Sequence, residues 1–372
     1  MLKKKKKKIN FWEPIIGTQE IKNIKKVLAM NWPNEGHFTK LLEEKIKKIL
    51  GVKYAVCTTS GTASIFLSLK AVGVSSKHEV IIPDITFGAT AMAASLTGAK
   101  IVLADVNKEN LSFNLKELKK KINYKTKAII PVHISGRGAN IKDIKKIINR
   151  KKIFIIEDAA EALYSKNGNQ FLGTIGDLGC FSLTASKTIT TGQGGIIVTN
   201  NKFFFEKIKL LKNQGIVGKS DGGNVKHTII GYNFKFTNLQ AAMGLAQITS
   251  LKKRAVKLIK NNLMYRDKLK SVSEIKILNF NFLKGEVPLW TDVIAYKKRD
   301  KLINYLKLNG VECRKFWFPL HLQKPFKQSS KNFKVSSLIF KKLFWLPSSL
   351  SLNEKKITFI CDLIKRFYNK NK

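Results

Sequence analysis

Apolar residues recur along this chain with two different periods. At 21–30 and 38–50 they fall three and four positions apart with lysines between them, the pattern of amphipathic helices. Short continuous apolar runs at 54–57, 79–82, 101–104, 128–131, 153–156, 180–183 and 195–199 read as strands buried on both faces. Most of these runs are separated by enough chain for a crossover helix. Such alternation predicts an α/β fold, a mostly parallel sheet flanked by helices, with ligands gathered at the carboxyl ends of the strands. Near residue 251 the texture changes. A lysine-rich helix at 251–269, an apolar stretch at 289–296, a helix at 298–309 and a closing helix at 353–368 predict a smaller α+β unit. The division expected is a disordered basic tail over 1–10, a large domain over 11–250 and a small C-terminal domain over 251–372.

Composition changes this picture little. With 372 residues, 44% of them hydrophobic, the chain can bury two cores. The net charge of +44 would ordinarily suggest a polyanionic partner, yet only seven of the 69 Lys and Arg residues are arginine. Specific nucleic-acid sites lean on the bidentate arginine fork, whereas here lysine is spread over every predicted helix. We read the charge as compositional drift that attracts anionic ligands to the surface, and expect no nucleic-acid partner. The run Lys3 to Lys8 predicts a solvated tail that could touch anionic lipid. No apolar segment follows it before Asn10, Glu13 and Pro14, and no window of about 18 apolar residues occurs, so neither a signal peptide nor membrane insertion is expected. Cys57, Cys180, Cys313 and Cys361 match neither a zinc pattern nor a disulfide framework, which suits a reducing cytoplasm and predicts no metal site.

Three local motifs suggest chemistry. Lys187 is the only charged residue between Asp177 and Lys202, in a segment running from an apolar strand through a polar turn and the cluster Gly192-Gln193-Gly194-Gly195 into a second strand. A lysine drawn from solvent into a site walled by strands favours the free amine, suited to Schiff-base formation; a plain surface lysine is the blander reading. Thr58-Thr59-Ser60-Gly61-Thr62-Ala63 follows a strand and opens a helix, which makes either a phosphate cradle or an ordinary N-cap. Ile155-Ile156-Glu157-Asp158-Ala159-Ala160-Glu161 sets carboxylates at a strand end, where an Asp can hold a ring nitrogen protonated. Acid–base catalysis or magnesium binding would also suit that motif. The order of the three decides. Phosphate cradle, strand-end acid and secluded lysine are the parts that pyridoxal 5'-phosphate requires for its phosphate, its pyridinium nitrogen and its aldehyde.

At this point the chain resembles the DegT/StrS sugar aminotransferases, fold type I pyridoxal phosphate enzymes acting on nucleotide-linked keto sugars. The resemblance runs from about Ile16 nearly to the C-terminus. It rests on Gly51-Val52-Lys53-Tyr54 leading to Ser60-Gly61-Thr62, Glu79-Val80-Ile81-Ile82-Pro83 with Phe87, Gly98-Ala99 with Asp105-Val106, and Pro131-Val132-His133. Glu157-Asp158-Ala159-Ala160, Gly176-Asp177 with Phe181-Ser182, Lys187 with Thr190-Thr191-Gly192, and Gly231-Tyr232-Asn233-Phe234 with Thr237-Asn238-Leu239-Gln240 continue it. Pro319-Leu320-His321 and Leu346-Pro347 extend it into the small domain. The glycine-rich ending and the Gly-Tyr-Asn-Phe segment look most like perosamine synthases and related 4-aminotransferases. The resemblance implies that Lys187 holds the cofactor aldehyde as an imine and Asp158 pairs with the pyridinium nitrogen. It further implies that Ser60, Gly61, Thr62 and Ser182 hold the phosphate, that Phe87 stacks on the ring, and that Glu161 lies near the phenolic oxygen. Asn233 would reach the phosphate in a neighbouring subunit, so a homodimer with shared sites is implied. The implied reaction moves an amino group, with glutamate the expected donor, to a nucleotide-linked keto-deoxy sugar for cell-surface polysaccharide.

Three departures qualify the resemblance. Gln193 stands where the family usually has Glu, which exchanges a charge for an amide. Ser135-Gly136-Arg137-Gly138 replaces a Leu-Tyr-Gly type of segment and predicts a cation, Arg137, near the site mouth. Lys187 is retained where the family's dehydratase branch carries His, which favours transamination over dehydration. His133 and His321 are candidate substrate contacts, against the commoner role of hydrogen-bonded structural histidines. Arg137 and Arg314 are candidate contacts for a carboxylate or pyrophosphate. The competing readings are another pyridoxal phosphate reaction on the same scaffold and a binding or regulatory protein without turnover.

Overall fold

The structure is a computed structural model and describes residues 8–149, 151–217 and 225–369. Seven strands form the large sheet: β1 Tyr54–Thr58, β2 Glu79–Pro83, β3 Lys100–Ala104, β4 Thr126–Ile129, β5 Phe154–Asp158, β6 Leu178–Ser182 and β7 Gly195–Thr199. Their order is β1-β7-β6-β5-β4-β2-β3. All pairs from β6 across to β3 are parallel, and β7 is antiparallel to both β1 and β6. The predicted, mostly parallel sheet is therefore the observed one, with strand ends displaced by a residue or two.

The continuous apolar runs are explained by helices on both faces. Successive strand residues alternate between two cores. Ile81, Ile129, Ile155 and Phe181 pack with Leu42, Ile46 and Ile144 on one face, while Ile82, Ala128, Ile156 and Cys180 pack with Ile65, Leu69 and Ala91 on the other. Helix Gly61–Ala71 lies on the second face, is buried on nearly all sides, and starts at Ser60, whose Oγ accepts from the Ala63 amide at 3.1 Å.

The C-terminal unit has an antiparallel sheet of β8 Ile275–Ile277, β9 Thr291–Ala295, β10 Arg314–Lys315 and β11 Leu343–Leu346, in the order β8-β9-β11-β10. Helices Leu251–Leu269, Arg299–Leu308 and Glu354–Asn369 supply Tyr265, Leu302, Ile360 and Ile364 to its core. The start of the chain joins this unit, which corrects the expected division. Ile9 is buried, bridges Val311 in parallel and exchanges backbone hydrogen bonds with Gly310 (2.8 Å) and Glu312 (2.9 Å). Ile9 and Asn10, expected in the tail, and Phe11, expected in the large domain, thus lie along the small sheet, where the Phe11 carbonyl accepts from Ser348 N at 3.0 Å. Residues 1–7, with most of the Lys3 to Lys8 run, lie outside the described residues. Among the described residues no helix is long and apolar enough to cross a membrane.

Candidate active site

Lys187 sits in the loop between β6 and β7, at the carboxyl side of the large sheet. Several bonds fix that loop: Leu183 N reaches Gly194 O at 2.8 Å, Thr191 N reaches Leu183 O at 2.9 Å, and Thr190 Oγ1 donates to Leu183 O at 3.1 Å. From outside, Arg254 donates to Thr188 O at 3.2 Å and the Trp12 indole to Ala185 O at 3.0 Å. Gly195 has a steric reason, since a Cβ there would lie 2.2 Å from the Ser60 carbonyl oxygen. The lysine side chain is 16% exposed, and its Nζ lies 3.3 Å from Glu161 Oε1.

Asp158 ends β5 and opens into the same space. Its Oδ2 accepts from Thr90 Oγ1 at 2.7 Å and its Oδ1 from the Ala160 amide at 3.1 Å, while Thr90 is itself linked to Thr86 Oγ1 at 2.9 Å. Burial pushes the Asp158 carboxyl above the ordinary aspartate range; the Thr90 hydroxyl, the Ala160 amide and the charge of Lys187 offset only part of that push. Among the described residues no cation forms a salt bridge with Asp158, so a buried acid faces the cavity with its charge only partly compensated. The neighbouring Glu157 points the other way. Its carboxylate takes hydrogen bonds from His133 Nε2 (2.8 Å) and the amides of Gly173 (3.0 Å), Ile175 (2.6 Å) and Gly176 (2.5 Å). Burial pushes the Glu157 carboxyl up, but these donors outweigh it and hold the group below the usual range. One strand end thus supplies a structural carboxylate and a site carboxylate.

The two acids Asp158 and Glu161, Lys187, and the residues Ser60, Gly61, Thr62 and Ser182 line one cavity of about 410 Å3. Within the described protein no acceptor engages the first-turn amides of Gly61 and Thr62, which leaves them free for an anion at the helix N-terminus. Gly61 is needed there because a Cβ would press on Ser182 Cβ at 3.1 Å. Phe87, 62% exposed at the start of helix Gly88–Ser95, is no core aromatic; it borders the cavity with its ring centroid 6.3 Å from that of Trp317. These groups fit pyridoxal phosphate: a free-amide cradle for the phosphate, a buried acid without a salt-bridge partner for the ring nitrogen, and an amine for the aldehyde.

Other candidates are placed elsewhere. His133 is fully buried, accepts from Ala139 N at Nδ1 (3.0 Å) and therefore carries its proton on Nε2 toward Glu157. His321 is also fully buried, held by Asp84 at 2.6 Å and stacked on Phe333 with centroids 4.5 Å apart. Neither lines the cavity. Arg137, expected as a cation near the mouth, is instead buried, ion-paired with Asp292 and set against the Phe280 ring at 4.3 Å. Arg314 does line the cavity, its guanidinium 4.6 Å from the Phe11 ring centroid. Gln193 reaches the cavity rim, and its carbonyl accepts from Gln240 Nε2 at 2.8 Å. Asn233 is exposed and away from the cavity of its own chain, bridged through its backbone to Asn213. The sequence reading missed the aromatic wall of Phe11, Trp290, Trp317 and Trp345, and also Thr90; the scarcity of tryptophan, five in the chain, was the available signal.

A mostly parallel sheet with an anion cradle, a strand-end acid and a lysine converging on one cavity defines a pyridoxal phosphate type aminotransferase scaffold. The solved structure of Helicobacter pylori PseC, an aminotransferase involved in the biosynthesis of pseudoaminic acid, shares this fold with a TM-score of 0.91 at 24% identity, covering 98% of this chain and 100% of that one. The chain belongs to the DegT/DnrJ/EryC1/StrS aminotransferase family, whose sequence profile matches residues 14–365. Aminotransferases of this family are pyridoxal phosphate dependent sugar aminotransferases, and this chain is one of them. It is 30% identical to GDP-perosamine synthase of Escherichia coli O157:H7, covering 98% of this chain and 99% of the relative, and 31% identical to GDP-perosamine synthase of Vibrio cholerae, covering 97% and 99%.

Proposed function

We propose that this enzyme moves an amino group from an amino acid, glutamate the expected donor, to the keto carbon of a nucleotide-linked keto-deoxy sugar. The likeness to two GDP-perosamine synthases over nearly full length supports the acceptor class, with the product serving cell-surface polysaccharide. The observation that carries the reading is the convergence of Lys187, Asp158 and the Ser60 to Thr62 cradle on one cavity.

Pyridoxal phosphate, when bound, supplies an electron sink and a carrier for the amine. Gly61 and Thr62 amides with the Ser60 and Ser182 hydroxyls would bind its phosphate, Phe87 would cover its ring, and Asp158 would keep its nitrogen protonated. Lys187 Nζ is the amine that would hold the cofactor's aldehyde. That amine would take the proton from the donor α-carbon and, in the second half, supply a proton to the sugar carbon that receives nitrogen. Glu161 Oε1 lies 3.3 Å from that amine and would stand near the cofactor's phenolic oxygen. Arg314, at the cavity wall, is positioned for a carboxylate or diphosphate. Asn233, exposed and away from its own cavity, would reach the cofactor phosphate of a second copy, which makes the proposed functional unit a homodimer with shared sites.

An absorbance spectrum of the purified protein with pyridoxal phosphate, with and without excess glutamate, tests the proposal. A visible band that glutamate bleaches, that GDP-linked keto-deoxy sugar restores, and that Lys187→Ala lacks is the expected result. A wild-type protein without a band after addition of the cofactor would overturn it.

A further inference from the structure

The carboxylate beside the reacting lysine is held from both units of the chain. Glu161 Oε1 lies 3.3 Å from Lys187 Nζ and 2.8 Å from the indole Nε1 of Trp290, while Oε2 accepts from the Ser135 amide at 2.9 Å. Trp290 directly precedes β9 of the C-terminal sheet and is almost fully buried. Ser135 belongs to the Ser135-Gly136-Arg137 segment that departs from the family pattern. Its φ of 54° is left-handed, and Gly136 follows at φ 95°, where a Cβ would collide with the Val287 carbonyl.

That unusual turn is clamped by the chain leading into β9. Leu289 N donates to Ser135 O at 2.9 Å, and Ser135 Oγ donates to Asp292 Oδ1 at 2.8 Å. Asp292, fully buried, also accepts from the Trp345 indole and pairs with Arg137. The arginine expected at the site mouth therefore neutralises the buried acid that anchors the turn. The turn in turn aims its amide at Glu161.

We infer that Trp290 is a positioning residue for the transamination assigned above: its indole N–H, with the Ser135 amide, fixes the Glu161 carboxylate and stabilises its charge beside Lys187. The carboxylate that faces the lysine nitrogen is thereby held by a group from the C-terminal unit. The other charged groups facing Glu161 are Asp158 on β5 and Arg137 behind the turn, with Arg314 on the far cavity wall. A donor to a carboxylate favours its ionised form, so removing the indole N–H makes the pair hold its proton more tightly.

The test is the pH titration of the visible band of the holoenzyme in wild type, Trp290→Phe, Trp290→Tyr, Glu161→Gln and the double variant Trp290→Phe/Glu161→Gln. In Trp290→Phe the midpoint should rise by about one pH unit, the size expected for one charge-assisted hydrogen bond. Trp290→Tyr, which returns a hydroxyl donor, should recover part of that shift. In the Glu161→Gln background Trp290→Phe should move nothing, because its effect passes through the carboxylate. A Trp290→Phe midpoint equal to wild type, or an equal shift with and without Glu161, would refute the role of Trp290 while leaving the proposed function intact. A wild-type holoenzyme that shows no band refutes both. Retention of the band in each variant at one fixed pH certifies that it has folded.

Discussion

Thr90→Val removes one hydroxyl and almost no volume, and so isolates the support of Asp158. The lost bond is the 2.7 Å donation to Oδ2, at a site where both partners are buried and water cannot replace the donor. Burial already holds the Asp158 carboxyl above its usual range, and the Thr90 hydroxyl is the foremost of the effects opposing it. An O–H donated to an ionised carboxylate contributes about 1.5–3 kcal/mol. At about 1.36 kcal/mol per pH unit, its loss raises the carboxyl by about one to two units. A protonated Asp158 cannot counter a ring nitrogen's charge, so the acid limb of cofactor binding should move toward neutral pH by that amount. Titrating the pyridoxal phosphate dissociation constant against pH for wild type, Thr90→Val and Thr90→Ser reads the shift directly. The reasoning fails if the valine and serine variants have the same acid limb. The sign for the cofactor-free protein follows from the same shift. The native state keeps the Asp158 proton after the unfolded chain has released it, so this residue costs stability as pH rises past the ordinary aspartate value.

Glu157 should behave oppositely. Its folded carboxyl is lowered, so its contribution to stability is full at neutral pH and lost as pH falls through the lowered value, and Glu157→Gln should flatten the acid limb of a thermal-stability profile. That substitution also turns an NH2 toward two of four donors, costing about 3 kcal/mol, or a melting midpoint about 4 °C lower for a chain of this length. Gly195→Ala, which drives a Cβ to 2.2 Å from Ser60 O, should weaken cofactor affinity by at least about tenfold, because it displaces the cradle itself; equilibrium titration checks this. Mixing inactive Lys187→Ala and Asn233→Ala subunits should restore about a quarter of wild-type activity, since half the dimers are then mixed and each holds one intact site. No recovery after proven subunit exchange would remove Asn233 from the partner's site.

Lys187 and Asp158 were legible because charge is costly in apolar surroundings: a lone lysine in a neutral window and an acid closing an apolar run stand out without any knowledge of the fold. The strands were equally plain, since both faces are covered. Side-chain direction was not. His133 and His321 flank recognisable motifs, but which way a ring turns depends on partners 24 and 237 residues away, Glu157 and Asp84. Arg137 was misplaced for the same reason, its partner Asp292 lying on a strand of the other unit. Ile9, Phe11 and Trp12 were masked by the lysines before them, and their contacts with 310–312, 348 and 185 carry no local signature.

The concentration of tryptophan around one cavity gives this enzyme an optical property. Trp290, Trp317 and Trp345 line it, Trp12 packs edge-on against Trp290 with centroids 5.1 Å apart, and Trp32 is the remaining one of the five. Four of the five tryptophans of the folded protein therefore lie at or beside that cavity. A chromophore that absorbs in the near ultraviolet and occupies that cavity will quench their emission by resonance transfer, so occupancy can be followed in dilute solution without a label or a coupled assay.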